Sequence, residues 1–414
     1  MSTEGLFSEY RLVALLAAVR TPWVDLGGAL SQVSPTDLGI AVARAVLAQA
    51  SVAPEAVEAV IAGSVAQASF DAYFLPRHIG LYAGIPQAVP ALGVQRICGT
   101  GFEVLAQAGS LIEHQGLGAV LSVASESMSR NPIAAYTHRN GFRVGAPVEF
   151  KDVLWEALFD PAVGIDMIQT AERIAQEFAL SRIEVDSFAA RSFARAQAAQ
   201  IVGWFQKEIL PLTSQTFAVE GYQPRHLRLP RGVEQLSTDT HIRDSSLAAL
   251  QRLNPVHAGG VQTAGNSCAL VDGAAAVLLG STAIGGTPPL AWLRASAVCG
   301  VAPETMGLGP VAAIRLLLQR TGLHLSDIGR FEINEAQGAQ VLAVQRLLEI
   351  DDQCLNVHGG AIALGHPLAA TGLRLTLTLA RQLRAAHLRY GIASACIGGG
   401  QGMAVLIENP DYSG

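Results

Sequence analysis

The order of elements along the chain is written twice, and that repetition constrains the fold more than any single motif. In the first half, residues 11–19 read as a buried strand ended by Pro22, and residues 35–50 are alanine-rich with leucine and valine at helical intervals. Residues 59–63 and 91–97 read as short strands. Phe102, Leu105, Ala108, Leu111 and Ile112 then recur at helical spacing, and residues 119–124 are strand-like again. From Pro289 the pattern restarts, with strand 290–298, helix 311–321, strand 331–333, helix 336–348, helix 371–386, and strands 392–396 and 403–407. Leu373, Leu375, Leu377 and Leu379 alternate as in a strand, yet their segment is too long for one, so the expectation there stays helical. The reading is an α/β protein of two related halves.

A stretch of different composition interrupts the first half. Residues 130–255 hold 14 of the 28 Lys and Arg together with 14 acidic residues, so the flanks carry all of the net charge of -6. We expect three units: residues 1–129 with 256–288, an inserted loop-rich domain at 130–255, and residues 289–414. Within the insert, Ser181 and Glu184 have the spacing of a capping box at the start of a charged helix.

Bulk properties exclude several classes. The acidic balance offers no overall attraction to nucleic acid or anionic membrane, so any anion site is local. The apolar run at 12–19 is too short to span a bilayer, and Glu4 and Glu9 stand where a signal peptide needs basic residues. Cys98, Cys268, Cys299, Cys354 and Cys396 have no metal-ligand spacing, and an odd number of thiols argues against a disulfide framework. A cytoplasmic protein with reduced thiols and no metal is expected.

Three residues sit in glycine-dense words. His366 lies in a turn between Gly365 and Pro367, where the backbone aims the imidazole. Cys98 follows a strand and precedes a helix, where exposed amides and the helix dipole favour a thiolate. Cys396 ends a strand before three glycines. Taken singly, each also reads as a structural turn histidine or an inert thiol; taken together, a thiol and an imidazole are the parts of an activated nucleophile.

The surrounding words resemble the thiolase family along nearly the whole chain. They run Arg20-Thr-Pro22, Ile97-Cys-Gly-Thr-Gly101, Glu126-Ser-Met-Ser129, Thr170-Ala-Glu172, Thr263-Ala-Gly-Asn266, Asp272-Gly-Ala274, Met306-Gly-Leu-Gly-Pro310, Asn334-Glu-Ala336, 359–367, and Cys396-Ile-Gly-Gly-Gly-Gln-Gly402. The resemblance implies a five-layered αβαβα fold of two repeated halves with an inserted loop domain that binds CoA. It implies that Cys98 is the acylated nucleophile, His366 its base, and Cys396 the acid/base acting on the substrate α-proton. Asn334 would hold a water that forms one oxyanion site with His366, and the amides of Cys98 and Gly398 would form the other. Arg243 would pack on the CoA nucleotide, with Met167, Met306 and Ser267 lining the substrate and CoA path. Coenzyme A and acetyl-CoA would be substrates, with no permanently bound cofactor, in a homodimer or homotetramer that takes no nucleic acid and has no membrane span.

Several residues depart from the family pattern. Gln95 and His358 each replace an asparagine, and Ala369 replaces a glycine. Asp166, Ile168 and Gln169 surround Met167 in place of the commoner residues, Gln337-Gly338 replace Phe-Ala, and Cys268 replaces a serine. Asp152-Val-Leu-Trp155 and residues 139–145 look more like the 3-ketoacyl-CoA thiolases than the acetoacetyl-specific ones. Two other readings stay open: a one-way condensing enzyme, against which the second cysteine speaks, and a non-catalytic acyl-binding protein.

Overall fold

The structure, a computed structural model, describes residues 5–66, 69–136, 138–281 and 288–412. Residues 282–287 of the expected 256–288 segment therefore lie outside the described residues. The first half contains β1 (Gly5–Glu9), β2 (Val13–Arg20), α1 (Pro35–Ala50), β3 (Ala59–Gly63), α2 (Leu75–Tyr82), β4 (Ala91–Val94), α3 (Thr100–Gln115) and β5 (Ala119–Glu126). After an intervening segment that carries α4 (Met167–Glu177) and α5 (Arg182–Ile201), β6 (Val271–Ser281) returns to the same sheet. The second half follows with β7 (Ala291–Gly300), α6 (Gly309–Thr321), β8 (Ile328–Ile333), α7 (Gly338–Leu348), α8 (Thr371–Ala385), β9 (Tyr390–Ile397) and β10 (Gln401–Glu408).

These ten strands, with the two-residue strand Val24–Asp25 that pairs with β6, form one eleven-stranded sheet whose main path is β8-β9-β10-β7-β2-β6-β5-β3-β4. Its two ends have the same wiring: β2-β6-β5-β3 and β7-β10-β9-β8 each run antiparallel, antiparallel, then parallel. The ends are joined by two residue pairs between β7 and β2, Ala291 with Leu15 and Trp292 with Ala14. With so short a hinge, the half-sheets face one another across α3 and α8, while α1 and α2 cover one outer face and α6 and α7 the other. This gives five layers in the order αβαβα. β1, which the sequence reading missed, crosses from the first half to pair with β7.

The central layer explains the misleading leucines of α8. Leu373, Leu375, Leu377 and Leu379 are buried, and so are Arg374, Thr376 and Thr378 between them, because the helix is covered on every side. A sandwiched helix has no solvent face to give its sequence a 3.6-residue stripe. In the intervening segment, Ser181 and Glu184 form the reciprocal capping box expected of them. That segment is tied to β2 by the buried Arg20, whose guanidinium reaches Asp239 at 2.7 Å and Glu208 at 3.2 Å.

Candidate active site

Cys98 sits in a single 3-10 turn, Ile97–Gly99, that runs directly into α3. Thr100 fixes the turn: its hydroxyl donates to Ile97 O at 2.7 Å and accepts from Arg96 N at 2.8 Å. Ile97 is held at φ +43, an unfavourable left-handed conformation for a β-branched residue, so the turn before the thiol is strained. His366 precedes α8 in the corresponding place of the second half. The two helix starts touch through glycines, since a Cβ on Gly101 would lie 2.7 Å from Leu373 N and one on Gly372 would lie 2.5 Å from Phe102 N. That contact brings the thiol-bearing and imidazole-bearing turns to one place.

The imidazole is fixed at both nitrogens and through its own backbone. Nδ1 lies 2.5 Å from Thr371 Oγ1, and Nε2 lies 3.3 Å from Asn334 Nδ2. The Thr371 hydroxyl donates its one proton to Pro367 O at 3.2 Å, so Nδ1–H donates to Thr371 and Nε2 keeps its lone pair. His366 N donates to Ala269 O at 2.9 Å. Burial, reinforced by the Arg374 charge, pushes His366 down from its usual 6.5 to about 3. Asn334 Oδ1 is buried without a partner beside it.

The downward shift of the Cys98 thiol expected from its place at a helix start is corrected by the structure. Burial pushes Cys98 up from its usual 9.0 to about 11, outweighing the hydrogen bonds from the amides of Gly398 and Cys98 that pull it down. Desolvation penalises the anion more than two amides reward it. Cys98 is open to the cleft on one side, so water there limits the rise. The resting pair is thus a neutral thiol and a neutral imidazole.

Cys396, at the end of β9, is fully buried and packs with Met306, Ala336 and the partly buried Met167. Burial, then the proximity of Cys98 and Cys268, pushes its thiol well above the ordinary range. Three thiols therefore share the site: Cys268 N donates to Ala336 O at 3.0 Å, and burial with the neighbouring Cys98 pushes Cys268 up to about 12. Ser267 is buried and pairs with Gln337 in a short antiparallel bridge. Arg243 stands apart on the surface, its guanidinium carbon 5.6 Å from the Phe193 ring centroid.

A pocket of about 550 Å³ opens beside the thiol turn. Ile97, Gln95, Met167, Gly398 and Gly399 form one wall, and residues of the 153–161 segment form another. Some departures noted in the sequence have local reasons. Asp166 and Gln169 make a capping box for α4, and Asp166 also takes His257 Nε2 at 2.9 Å. His358 stacks on Trp204 with ring centroids 3.9 Å apart.

Residue reasoning missed two positioning groups. Thr371 orients the histidine from the first residue of α8; its only signal was a hydroxyl five residues after His366. Glu126, at the end of β5, accepts from Val65 N, Ala66 N and Ala369 N, tying the pocket wall to the turn that follows His366.

Comparison with known proteins decides the family. The description "Thiolase, N-terminal domain" matches residues 13–283, and "Thiolase, C-terminal domain" matches residues 287–409. The chain belongs to the thiolase family. It is 40% identical over 404 residues to the human protein named "3-ketoacyl-CoA thiolase, mitochondrial", covering 96% of this chain and 98% of that one. It is 36% identical to the "Beta-ketothiolase BktB" of Cupriavidus necator, covering 96% and 99%. Among solved structures, human mitochondrial 3-ketoacyl-CoA thiolase in complex with CoA superposes with TM-score 0.90 at 39% identity, covering 96% of this thiolase and 98% of that chain. The acetyl-CoA acetyltransferase of Bacillus anthracis gives 0.89 at 36% identity, covering 97% and 99%.

Proposed function

We propose that Cys98 carries the acyl group in the CoA-dependent cleavage and condensation of 3-ketoacyl-CoA, with His366 as its base and Cys396 as the acid/base at the α-carbon. The observation that carries the reading is the meeting of the Cys98 and His366 turns at the Gly101 and Gly372 contact, with His366 Nε2 left unprotonated. In cleavage, His366 takes the Cys98 proton as the sulfur attacks the 3-keto carbon. The bond between C2 and C3 breaks, and the acetyl-CoA enolate takes a proton from Cys396. The CoA thiol then attacks the acyl-Cys98 thioester and releases the shortened acyl-CoA.

Negative charge develops on two different oxygens along this path. The amides of Cys98 and Gly398, which already point at the Cys98 sulfur, serve one of them. His366 with a water held by Asn334 serves the other. Met167 and Met306 line the reacting carbons, Ser267 flanks the CoA thiol, and Arg243 holds the nucleotide end of CoA on the surface of the 130–255 domain. The roomy pocket beside Ile97 and Gly398 supports acyl chains longer than acetyl.

Self-association as a homodimer or homotetramer is part of the same reading, supported by the exposed Phe70, Tyr73, Phe74 and Leu92 near the edge strand β4. A cytoplasmic location is supported by five unpaired cysteines, although the human relative is named mitochondrial. Among the described residues no helix is long and apolar enough to cross a membrane. The deciding experiment is peptide mapping by mass spectrometry after acetyl-CoA treatment, together with CoA-dependent cleavage of a short and a long 3-ketoacyl-CoA. An acetyl adduct on Cys98 is expected, and an adduct confined to Cys268 or Cys354 overturns the assignment.

A further inference from the structure

The end of α8 and the short turn Phe205–Lys207 meet around a pocket of about 370 Å³. Trp204, Lys207, Arg381 and Arg384 line it, with Asp411 beside them and Leu290 as an apolar part of the wall. Arg381 and Arg384 share a face of α8 by their three-residue spacing, and Trp204 and Lys207 have the same spacing across the 3-10 turn, where Lys207 N donates to Trp204 O at 3.4 Å. The place is remote from the reacting centre: Arg381 lies ten residues beyond Thr371, about 15 Å along α8 at the usual helical rise. None of its lining residues belongs to the acyl-CoA path described above.

The side chains here are donors without acceptors. Trp204 Nε1 and Arg381 Nε are buried with no hydrogen-bond partner, and both groups can only donate. Trp204 is held in place by its stack on His358, so its N–H is a fixed donor. Among the described residues neither Arg381 nor Lys207 has an ion-pair partner, whereas Arg384 is met by Asp411 at 2.6 Å. Burial and the neighbouring Arg384 pull Arg381 below its usual range against the opposing charge of Glu208. Glu208 does not pair with Arg381: its Oε2 takes Arg20 at 3.2 Å and Thr378 Oγ1 at 3.1 Å, and its Oε1 is unpartnered. An anion in the pocket would relieve both the positive charge and the stranded donors.

We propose that this pocket is a second anion site of the thiolase, separate from Arg243 and the acyl-CoA path, and that it binds a phosphoryl group, either as free phosphate or as the end of a small phosphomonoester. A phosphoryl group accepts without donating and brings one to two negative charges. Its three oxygens can meet α8 on one side and the 204–207 turn on the other, where the two coplanar oxygens of a carboxylate meet fewer of the donors. The volume lies at the small end of the range for small-molecule sites, and Leu290 with the Trp204 ring offers apolar surface to a short ester chain.

Calorimetric titration of the full chain with inorganic phosphate, glycerol 3-phosphate, acetate and chloride, all at one ionic strength, reads the site directly. One saturable phosphoryl site is expected, at least about tenfold tighter than acetate or chloride, and the tighter of the two phosphoryl probes identifies the source. Arg381→Met is expected to weaken it by at least about tenfold through loss of a charge-assisted donor, while Arg243→Ala leaves it within about twofold. Lys207→Met changes an exposed side chain, is expected to weaken binding at least about threefold, and keeps the test decisive should Arg381→Met fail to fold. Absence of saturable binding overturns the proposal, as does equal affinity for acetate or chloride. Affinity unchanged in folded Arg381→Met or in Lys207→Met also overturns it. A site lost in Arg243→Ala but kept in Arg381→Met is the CoA nucleotide site, and that result overturns it too.

Discussion

Alkylation of Cys98 by a small neutral reagent such as iodoacetamide reads the protonation state of the site directly. A thiol raised to about 11 rather than its usual 9.0 is ionised to about one part in a thousand at pH 8 instead of about one in ten, roughly a hundredfold lower intrinsic reactivity. His366, held near 3, stays neutral across the accessible range and can accept the proton at any pH above about 4. The wild-type rate, followed by peptide mapping at Cys98, should therefore be nearly flat from pH 5 to 8 and climb only as the thiol itself ionises. In His366→Ala the assisted path is gone, and the rate should rise tenfold per pH unit from a much lower start. The ratio of wild type to variant is then largest near pH 5 and shrinks toward pH 11. A wild-type plateau reached through a midpoint near pH 6 to 7 would refute this reasoning, because it would mark a standing thiolate and imidazolium pair. Identical profiles for the two proteins would remove His366 from the base role.

Four further outcomes follow from the same geometry. Cys396→Ser should still accept an acetyl group on Cys98, yet exchange of acetyl-CoA methyl protons with deuterated water should collapse, since serine is a far weaker acid/base than a thiol; exchange at the wild-type rate would make Cys396 structural. Thr371→Val removes the acceptor for His366 Nδ1–H and should slow Cys98 acylation about tenfold to a hundredfold, with Thr371→Ser restoring it. Gly101→Ala places a methyl 2.7 Å from Leu373 N and should cost about 1–3 kcal/mol of stability, measured by denaturant unfolding, along with a slower acylation step. Arg243→Ala should raise the KM for CoA more than it lowers kcat, and a pure kcat effect would count against nucleotide binding.

Local signals in the sequence carried well into the structure, and long-range ones did not. The helix expected at residues 35–50 forms over Pro35–Ala50, and the Ser181 capping box is present, because both depend on neighbours within a turn or two. The tight turns that carry Cys98, His366 and Cys396 were legible because a backbone that must bare its amides or turn sharply is written in glycine. The pairing of β1 with β7 was not legible, since it joins residues 5–9 to 295–299 and leaves no periodic trace in either. Nor was the upward shift of the Cys98 thiol: an amide-rich turn and a helix start are visible in sequence, but the burial that outweighs them is a property of the folded packing.

The duplicated wiring explains why the proposed nucleophile and base are found in a seam. α3 leads into β5 in one half, and α8 leads into β9 in the other, and these two helices form the central layer. Their starts are corresponding positions of the repeat, so packing the halves face to face brings the two starts together. Gly101 and Gly372 let the backbones approach to contact distance, and each half then contributes a different side chain from the turn before its helix, Cys98 from one and His366 from the other. Cys396 comes from the end of β9, and its counterpart at the end of β5 is the Glu126 region, where a buried carboxylate ties down Val65, Ala66 and Ala369 instead of meeting the thiol. In the proposed reaction the second half thus supplies both groups that move protons, His366 and Cys396, while the first supplies the Cys98 sulfur and the Glu126 tie to Val65, Ala66 and Ala369. The proposed reaction is itself asymmetric, with a sulfur acylated at one point and a substrate carbon deprotonated at another, and it draws different groups from two halves of the same wiring.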